Sequence, residues 1–193
     1  LDGRQLKMRI ISGKLKGRSI MFLKKSTTRP LKDSVKENIF NILEHSNLIH
    51  VNIKDSIVLD LYSGFGSFGL EIISRGANKV TFVEKNNGIM NTIRKSLDKF
   101  SIINKALIIN DSVENFLNKD NKNKFDIIFL DPPYSEKFLV NDLNLIKKNN
   151  MFKKNHIIII HRETESRDEL EDLINILIVK NYRRSKIIFG TFG

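Results

Sequence analysis

From residue 57 onward, short apolar runs alternate with amphipathic stretches. "IVLDLY" is continuous and apolar enough for a buried strand. "FGLEIISR" has helical spacing and stops at Gly76, a residue suited to the position just past a helix end. "KVTFVE", "ALIIN", "FDIIFL" and "HIIIIH" repeat the strand pattern. "NGIMNTIRKSLDKF", "SVENFL", "KFLVNDLNLIKK" and "RDELEDLINIL" repeat the helical one, the last over residues 167–177. "YRRSKIIFG" reads as a closing strand. Apolar strands of four to six residues alternating with helices predict a mostly parallel sheet covered on both faces. The expected fold class is α/β, a doubly wound, Rossmann-like sheet, mostly parallel and of the seven-stranded type. The chain stops at "FGTFG", where a last antiparallel strand is expected to begin, so that strand is expected to be truncated. In such sheets ligands sit at the carboxyl ends of the strands, near the point where strand order reverses. Residues just after the strands are therefore expected to converge.

The first fifty residues have a different pattern. "MRIISGKLKGRSIMFL" alternates and carries glycines, as a basic hairpin would. "RPLKDSVKENIFNILEH" predicts a helix entered through Pro30, with Val35, Ile39, Phe40, Ile42 and Leu43 on its apolar face. Residues 1–50 are expected to form an N-terminal extension packed on a catalytic domain of residues 51–193. No internal repeat interrupts either part, and "NKDNKNK" reads as a loop before a strand.

Charge sharpens this division. The net charge of +11 is concentrated at the start of the chain: residues 1–36 hold eleven Lys or Arg against Asp2 and Asp33. The rest holds twenty-two against twenty. A local excess of this size points to a polyanion, and nucleic acid is the favoured partner over a merely solubilising tail. The chain has no cysteine, which excludes disulfides, thiolate metal sites and a cysteine nucleophile. The four histidines show no ligand spacing on a common helix face, so no metal is expected. No apolar run approaches the roughly 18 residues of a membrane span, and no signal-peptide pattern opens the chain. A reducing, cytoplasmic setting is expected.

Two motifs carry chemistry. "LDLYSGFGSFGLE" places Gly64, Gly66 and Gly69 between a strand and a helix, with Glu84 ending the next strand. Glycines allow a tight turn and close ligand approach, and a carboxylate at the second strand end can accept from both hydroxyls of a ribose. The pattern alone also fits a nicotinamide dehydrogenase, or simply a tight turn. Asp60 discriminates: a carboxylate there is awkward beside a pyrophosphate and favourable beside an ammonium. Asp111 could accept from an adenine amino group, although a helix N-cap accounts for it equally well. The set points to S-adenosylmethionine. The second motif is Asp131-Pro132-Pro133-Tyr134. Two prolines fix two φ angles and remove two N–H donors, leaving a stiff corner that offers the Asp131 carboxylate and the Pro132 carbonyl. Such a corner fits methylation of an amino group on a nucleobase: two acceptors hold its two N–H bonds and turn the delocalised lone pair toward a methyl donor. Tyr134 would stack on a base taken out of its helix. A strand-to-loop turn with Tyr134 capping the core is the bland alternative.

"MRIISGKLKGRSI", "RPLKDSVKENIFNIL", "VLDLYSGFGSFGLEIISRGANKVTFVEKN" and "FDIIFLDPPY" together resemble the RsmD-type methyltransferases, from about Met8 to the C-terminus. The two N-terminal blocks are the specific part; the other motifs are shared with many amino-methyltransferases. The resemblance implies methylation, with S-adenosylmethionine, of N2 of one guanine, guanine 966, in 16S ribosomal RNA. The substrate is expected within the small ribosomal subunit or an assembly intermediate, and the protein is expected to act as a monomer. Cofactor binding is expected from Asp60, Tyr62, Ser63, Gly64, Gly66, Gly69, Glu84, Lys85, Asp111 and Ser112. Catalysis is expected from Asp131, Pro132, Pro133 and Tyr134. Arg9, Lys14, Lys16, Arg18, Arg29 and Lys36 are expected to grip RNA. Three features depart from the family pattern. Lys36 stands where arginine is usual, losing the bidentate fork; Leu31 stands where a hydroxyl is usual; and residues 1–7 precede the methionine at which the family usually begins. A DNA adenine-N6 methyltransferase and a non-catalytic ribosome-assembly factor remain as rivals.

Overall fold

The computed structural model describes residues 8–22, 31–119, 123–133 and 136–193. Among these residues five α-helices and seven strands follow one another as α1 (Asp33–His45), β1 (Ile57–Leu61), α2 (Ser67–Ser74), β2 (Lys79–Val83), α3 (Asn87–Lys99), β3 (Ala106–Ile109), α4 (Val113–Asn118), β4 (Phe125–Leu130), α5 (Glu136–Lys148), β5 (Phe152–Glu163), β6 (Asn175–Asn181) and β7 (Ser185–Thr191). The strands form one sheet in the order β3-β2-β1-β4-β5-β7-β6. The first five are parallel, and β7 runs antiparallel to both β5 and β6. The chain works outward from β1 to β3, then returns to β4 on the other side of β1. The strand order therefore reverses between β1 and β4, where a doubly wound sheet opens a ligand crevice.

Strand alternation divides the core into two layers. Val58, Ile127, Phe129, Ile157 and Ile159 face one cluster, which they share with the buried residues of α1, α2 and α3. Leu59, Leu61, Ile128, Leu130, Ile158 and Ile160 face the other, with those of α4 and α5. A full helical layer on each face explains why the central strands read as continuous apolar runs rather than alternating ones. Among the described residues no helix is long and apolar enough to cross a membrane.

The N-terminal segment packs on the first layer through Met8, Ile10, Leu15 and Ile20, and α1 through Val35, Ile39, Phe40 and Leu43. Ile42 is only partly buried. Residues 8–20 form a hairpin-like loop closed by Ile10 N to Arg18 O (3.0 Å), Gly17 N to Ile10 O (2.8 Å) and Ile20 N to Met8 O (2.8 Å), with one antiparallel bridge between Arg9 and Ser19. The loop is riveted to the end of α2. Ser74 O accepts from Lys14 N at 2.9 Å, Ser74 Oγ accepts from Leu15 N at 2.9 Å, and Oγ donates to Ser12 O at 2.6 Å. Pro30 lies outside the described residues; Lys32 is the N-cap of α1 and makes no side-chain cap.

Two expectations are overturned at the C-terminal end. Residues 167–177 do not form a helix: 164–174 is irregular, and 175–177 begin β6. Asp168 turns inward to an ion pair with Arg162, Leu170 and Ile174 insert into the second core layer, and the β-branched Ile176, Ile178 and Val179 pair with β7. Tertiary pairing outweighs the helical spacing of a charged segment. Nor is the antiparallel edge truncated: β7 pairs with β5 through Ile158–Glu163 and supports β6 on its other side.

Candidate active site

Three strand ends build the site. Asp60 lies in β1, opposite Phe129 of β4, and is 1% exposed. Its Oδ2 accepts from Gly69 N at 3.0 Å, while its buried Oδ1 has no hydrogen-bond partner. Burial, with the Asp131 and Glu84 carboxylates adding to it, raises the pKa of Asp60 well above the ordinary value against the pull of the Gly69 N–H. The helix carrying that N–H comes close because Gly69 has no Cβ: one would meet Phe82 Cε1 at 2.2 Å and Asp60 Oδ2 at 2.8 Å. Gly69 thus serves helix–sheet packing. Gly66, at φ +75°, is the left-handed N-cap of α2.

After Leu61 the chain turns sharply. Tyr62 takes φ +57°, an uncommon conformation for a residue with a side chain, and its hydroxyl donates to Asp142 Oδ2 of α5 at 2.5 Å. Burial pushes the Asp142 carboxyl up to about 6 despite that bond. Ser63 N and Oγ both donate to Val83 O, at 3.1 and 3.2 Å. Gly64 N donates to Glu84 Oε2 at 3.1 Å, and Asn86 N to Glu84 Oε1 at 2.8 Å. Glu84 is thereby aimed by backbone on two sides, and each oxygen keeps further acceptor capacity.

Asp131 follows β4 and is a third exposed. It faces a cleft lined also by Asp60, Tyr62, Ser63, Gly64, Phe65, Ser67, Phe68 and Phe129. Phe68 and Phe129 stack at 4.1 Å, and Phe40 of α1 stacks on Phe68 at 5.4 Å, so a ladder of rings backs the cleft. The acceptors at the strand ends are carboxyl groups, and the wall behind them is apolar. It suits a ligand that is cationic at one end and carries an apolar body.

The expected residues do not all meet. Asp60, Tyr62, Ser63, Gly64 and Asp131 line one cleft; Gly66 and Gly69 lie behind it; Glu84 joins it through Gly64. Lys85 is exposed. Asp111 makes its own cluster: Lys119 Nζ at 2.7 Å, Asn115 Nδ2 at 2.9 Å and Ser112 N at 2.8 Å hold it down at about 2. Ser112, not Asp111, is the N-cap of α4. Tyr134 and Arg29 lie outside the described residues. Arg9, Lys14, Lys16 and Arg18 are exposed. Lys36 corrects an expectation. It is fully buried, with Nζ 2.6 Å from Arg9 O, 3.4 Å from Ser67 Oγ and 3.7 Å from Glu71, and burial lowers its pKa. It cannot touch an RNA phosphate. It and Glu71, which accepts from Ile11 N and Ser12 N, bind the N-terminal loop to α2.

Besides the rings and Ser67 of the lining, two pairs of residues far from the motifs escaped the sequence reading. Met8 and Leu31 bring the N-terminal segment to the cleft. His161 and Arg162, at the end of β5, bond to Asp131 and Pro133. The strand-end rule that selected Asp60, Glu84 and Asp131 also applies to the fifth strand; Met8 and Leu31 carry no local signal.

Residues 8–190 match the family described as conserved hypothetical protein 95. A Haemophilus influenzae protein named ribosomal RNA small subunit methyltransferase D is 36% identical over 160 residues, 82% of this chain and 80% of that protein. One of the same name from Buchnera aphidicola (subspecies Baizongia pistaciae) is 32% identical over 185 residues, 96% and 91% of the two chains. The chain belongs to the RsmD family. Among solved structures, a putative methylase from Haemophilus influenzae superposes with a TM-score of 0.78 at 29% identity, over 97% of this chain and 99% of the other. A putative methyltransferase from Escherichia coli does so with 0.82 at 24% identity and the same coverage, a likeness that speaks for the fold. The fold is that of the Rossmann-like methyltransferases, and the cofactor of this RsmD-family chain is S-adenosylmethionine. The site fits it: the unpartnered Asp60 Oδ1, a buried acceptor among three carboxylates, suits a ligand bearing an ammonium and a sulfonium.

Proposed function

We propose that the protein methylates the exocyclic N2 of one guanine in 16S ribosomal RNA, on a base turned out of its helix. The observation that carries this reading is the single cleft shared by Asp60 and Asp131 at adjacent strand ends, with an Asp-Pro-Pro corner on its rim. The names of the relatives support ribosomal RNA as the substrate class. Guanine 966 is the proposed target, from the RsmD-type motifs.

S-adenosylmethionine, when bound, supplies an electrophilic methyl on a sulfonium and leaves as a neutral thioether. Asp60 Oδ1 accepts from its ammonium, and Glu84 accepts from its ribose hydroxyls. Tyr62, Ser63 and Gly64 shape the turn between them. Asp131 and the Pro132 carbonyl each accept one N–H of the guanine amino group. That holds the nitrogen lone pair toward the methyl, so positioning supplies most of the catalysis. With the methyl supplied by bound S-adenosylmethionine, the guanine nitrogen would pass its surplus proton to Asp131 or to water. Tyr134 stacks on the flipped base. Arg9, Lys14, Lys16, Arg18 and Arg29 neutralise RNA phosphates, and residues 1–50 act as an RNA-facing extension of the catalytic domain of residues 51–193. A structured small-subunit particle, recognised by shape and charge, is the proposed substrate.

Labelled S-adenosylmethionine, offered with unmethylated small subunits, protein-free ribosomal RNA and duplex DNA, tests the proposal once products are digested and identified by mass spectrometry. N2-methylguanosine from the ribosomal substrates is expected. N6-methyladenine in DNA would move the protein to the rival class.

A further inference from the structure

β5 ends in two consecutive side chains to which methyl transfer, as described, assigns no part. Neighbours along a strand point to opposite faces. His161 follows Ile159 on the side of α1 to α3, where Asp60 lies, and Arg162 follows Ile160 on the side of α4 and α5. Each reaches the same corner. His161 Nδ1 lies 2.9 Å from Asp131 Oδ1. Arg162 donates from NH1 to Pro133 O at 3.2 Å, while its Nε and NH2 grip Asp168 at 2.9 and 3.0 Å. The side chains of Arg162 and Asp168 are each 1% exposed.

A buried ion pair contributes little net stability once desolvation is counted. Its use must be sought in what the remaining N–H does. Pro132 and Pro133 carry no N–H, so beyond Asp131 the corner has no backbone donor with which to brace itself. Its carboxylate and carbonyl acceptors are the handles it offers there, and β5 takes hold of one at each end.

We propose that His161 and Arg162 are positioning residues that clasp the Asp131-Pro132-Pro133 corner from the two faces of the sheet. The inference rests on the reading of that corner as the acceptor of the substrate amino group. A carboxylate can only accept, so Nδ1 of His161 carries the hydrogen, whether the ring is neutral or charged. With Oδ1 held, the carboxylate stops rotating and Oδ2 is presented to the substrate. Arg162, locked by its fork to Asp168, fixes the Pro133 carbonyl and leaves the Pro132 carbonyl for the second N–H.

Two experiments test the clasp. The first needs no substrate. Long-range proton–nitrogen spectra of the imidazoles at about pH 8, with His161 assigned from the His161→Asn variant, should show hydrogen on Nδ1. That hydrogen should move to Nε2 in Asp131→Ala. A ring with hydrogen on Nε2 but none on Nδ1 in the wild type, or one indifferent to Asp131→Ala, would overturn the histidine limb whatever the substrate is. The second is turnover with saturating S-adenosylmethionine. His161→Leu should lower kcat by roughly 10- to 100-fold, the scale of a small misplacement, with cofactor affinity and melting temperature held. His161→Asn, whose amide reaches the place of Nδ1, should recover most of the loss. Arg162→Lys keeps the charge beside Asp168 without the fork and should also lower kcat while cofactor affinity is held. Wild-type kcat in His161→Leu, or equal losses for Leu and Asn, would overturn the proposal. A wild-type enzyme that methylates no nucleic acid would instead refute the functional reading, and the spectra would still decide the histidine contact.

Discussion

Asp60 concentrates the conflict between stability and function in one carboxyl group. A carboxyl whose native pKa lies above its unfolded value penalises the fold wherever both states are ionised. That penalty fades as pH falls toward and below the raised native value. Asp60→Asn removes the charge, and the amide oxygen can still accept from Gly69 N. We expect the unliganded variant to melt higher at neutral pH: relief of about 1 kcal/mol is about 2–4 °C for a chain of this size. Loss of a charge-assisted contact of about 1.5–3 kcal/mol should weaken S-adenosylmethionine binding by roughly 10- to 100-fold. Thermal melts and calorimetric titration of the same sample check both. Asp142 gives a pH-dependent companion. Its native carboxyl titrates near 6, raised by burial, so its contribution to stability is full at low pH and falls as pH rises through that value. Tyr62→Phe removes the donor to Asp142. Urea unfolding should show a loss of about 0.5–1.5 kcal/mol at pH 4.5, where the partner is neutral, and about 1.5–3 kcal/mol at pH 8, where it is charged. Asp60 was legible because strand, carboxylate and glycines are contiguous. Lys36 was not. A lysine within an amphipathic pattern reads as solvent-facing, and its partner Glu71 belongs to another helix.

At the level of elements, strands β1 to β5 were legible because a sheet covered on both faces writes itself as uninterrupted apolar runs. The segment after Glu163 was misread because its helical spacing is real, yet Asp168, Leu170 and Ile174 are each claimed by partners elsewhere in the fold. The hairpin was legible as a basic, glycine-bearing loop, but its anchorage was not, since Ser74 and Glu71 lie some sixty residues away. Its two left-handed glycines separate strain from fit. A Cβ on Gly13, at φ +80°, would lie 2.0 Å from Ser74 O; one on Gly17, at φ +82°, meets nothing within 4 Å. Gly17→Ala should cost about 1–2 kcal/mol from backbone strain alone. Gly13→Ala should cost more and release the loop. Hydrogen exchange at the Lys14 and Leu15 amides, both bonded to Ser74, should accelerate in Gly13→Ala and stay protected in Gly17→Ala.

At the scale of the whole molecule, the basic N-terminal segment touches the acidic cleft at Met8 and is anchored at the far end of α2. Met8 lines the cleft, and the loop carrying Lys14, Lys16 and Arg18 runs from it to the end of α2. Under the proposed function, a polyanion bound along this loop would extend toward the cleft from the far end of α2. Replacing Lys14, Lys16 and Arg18 together with Ala should weaken RNA binding. The slope of log affinity against log salt should shrink by about 0.7–0.9 for each phosphate that is no longer neutralised, with S-adenosylmethionine affinity unaffected. The central claim is a division of labour between adjacent strands, β1 holding cofactor through Asp60 and β4 holding the guanine amino group through Asp131. Its most direct test is the Asp131→Ala variant, titrated with S-adenosylmethionine and assayed for single-turnover methyl transfer on unmethylated small subunits. Cofactor binding within about threefold of wild type, with transfer abolished, is the predicted result. Full transfer in Asp131→Ala, or loss of cofactor binding along with transfer, would contradict it.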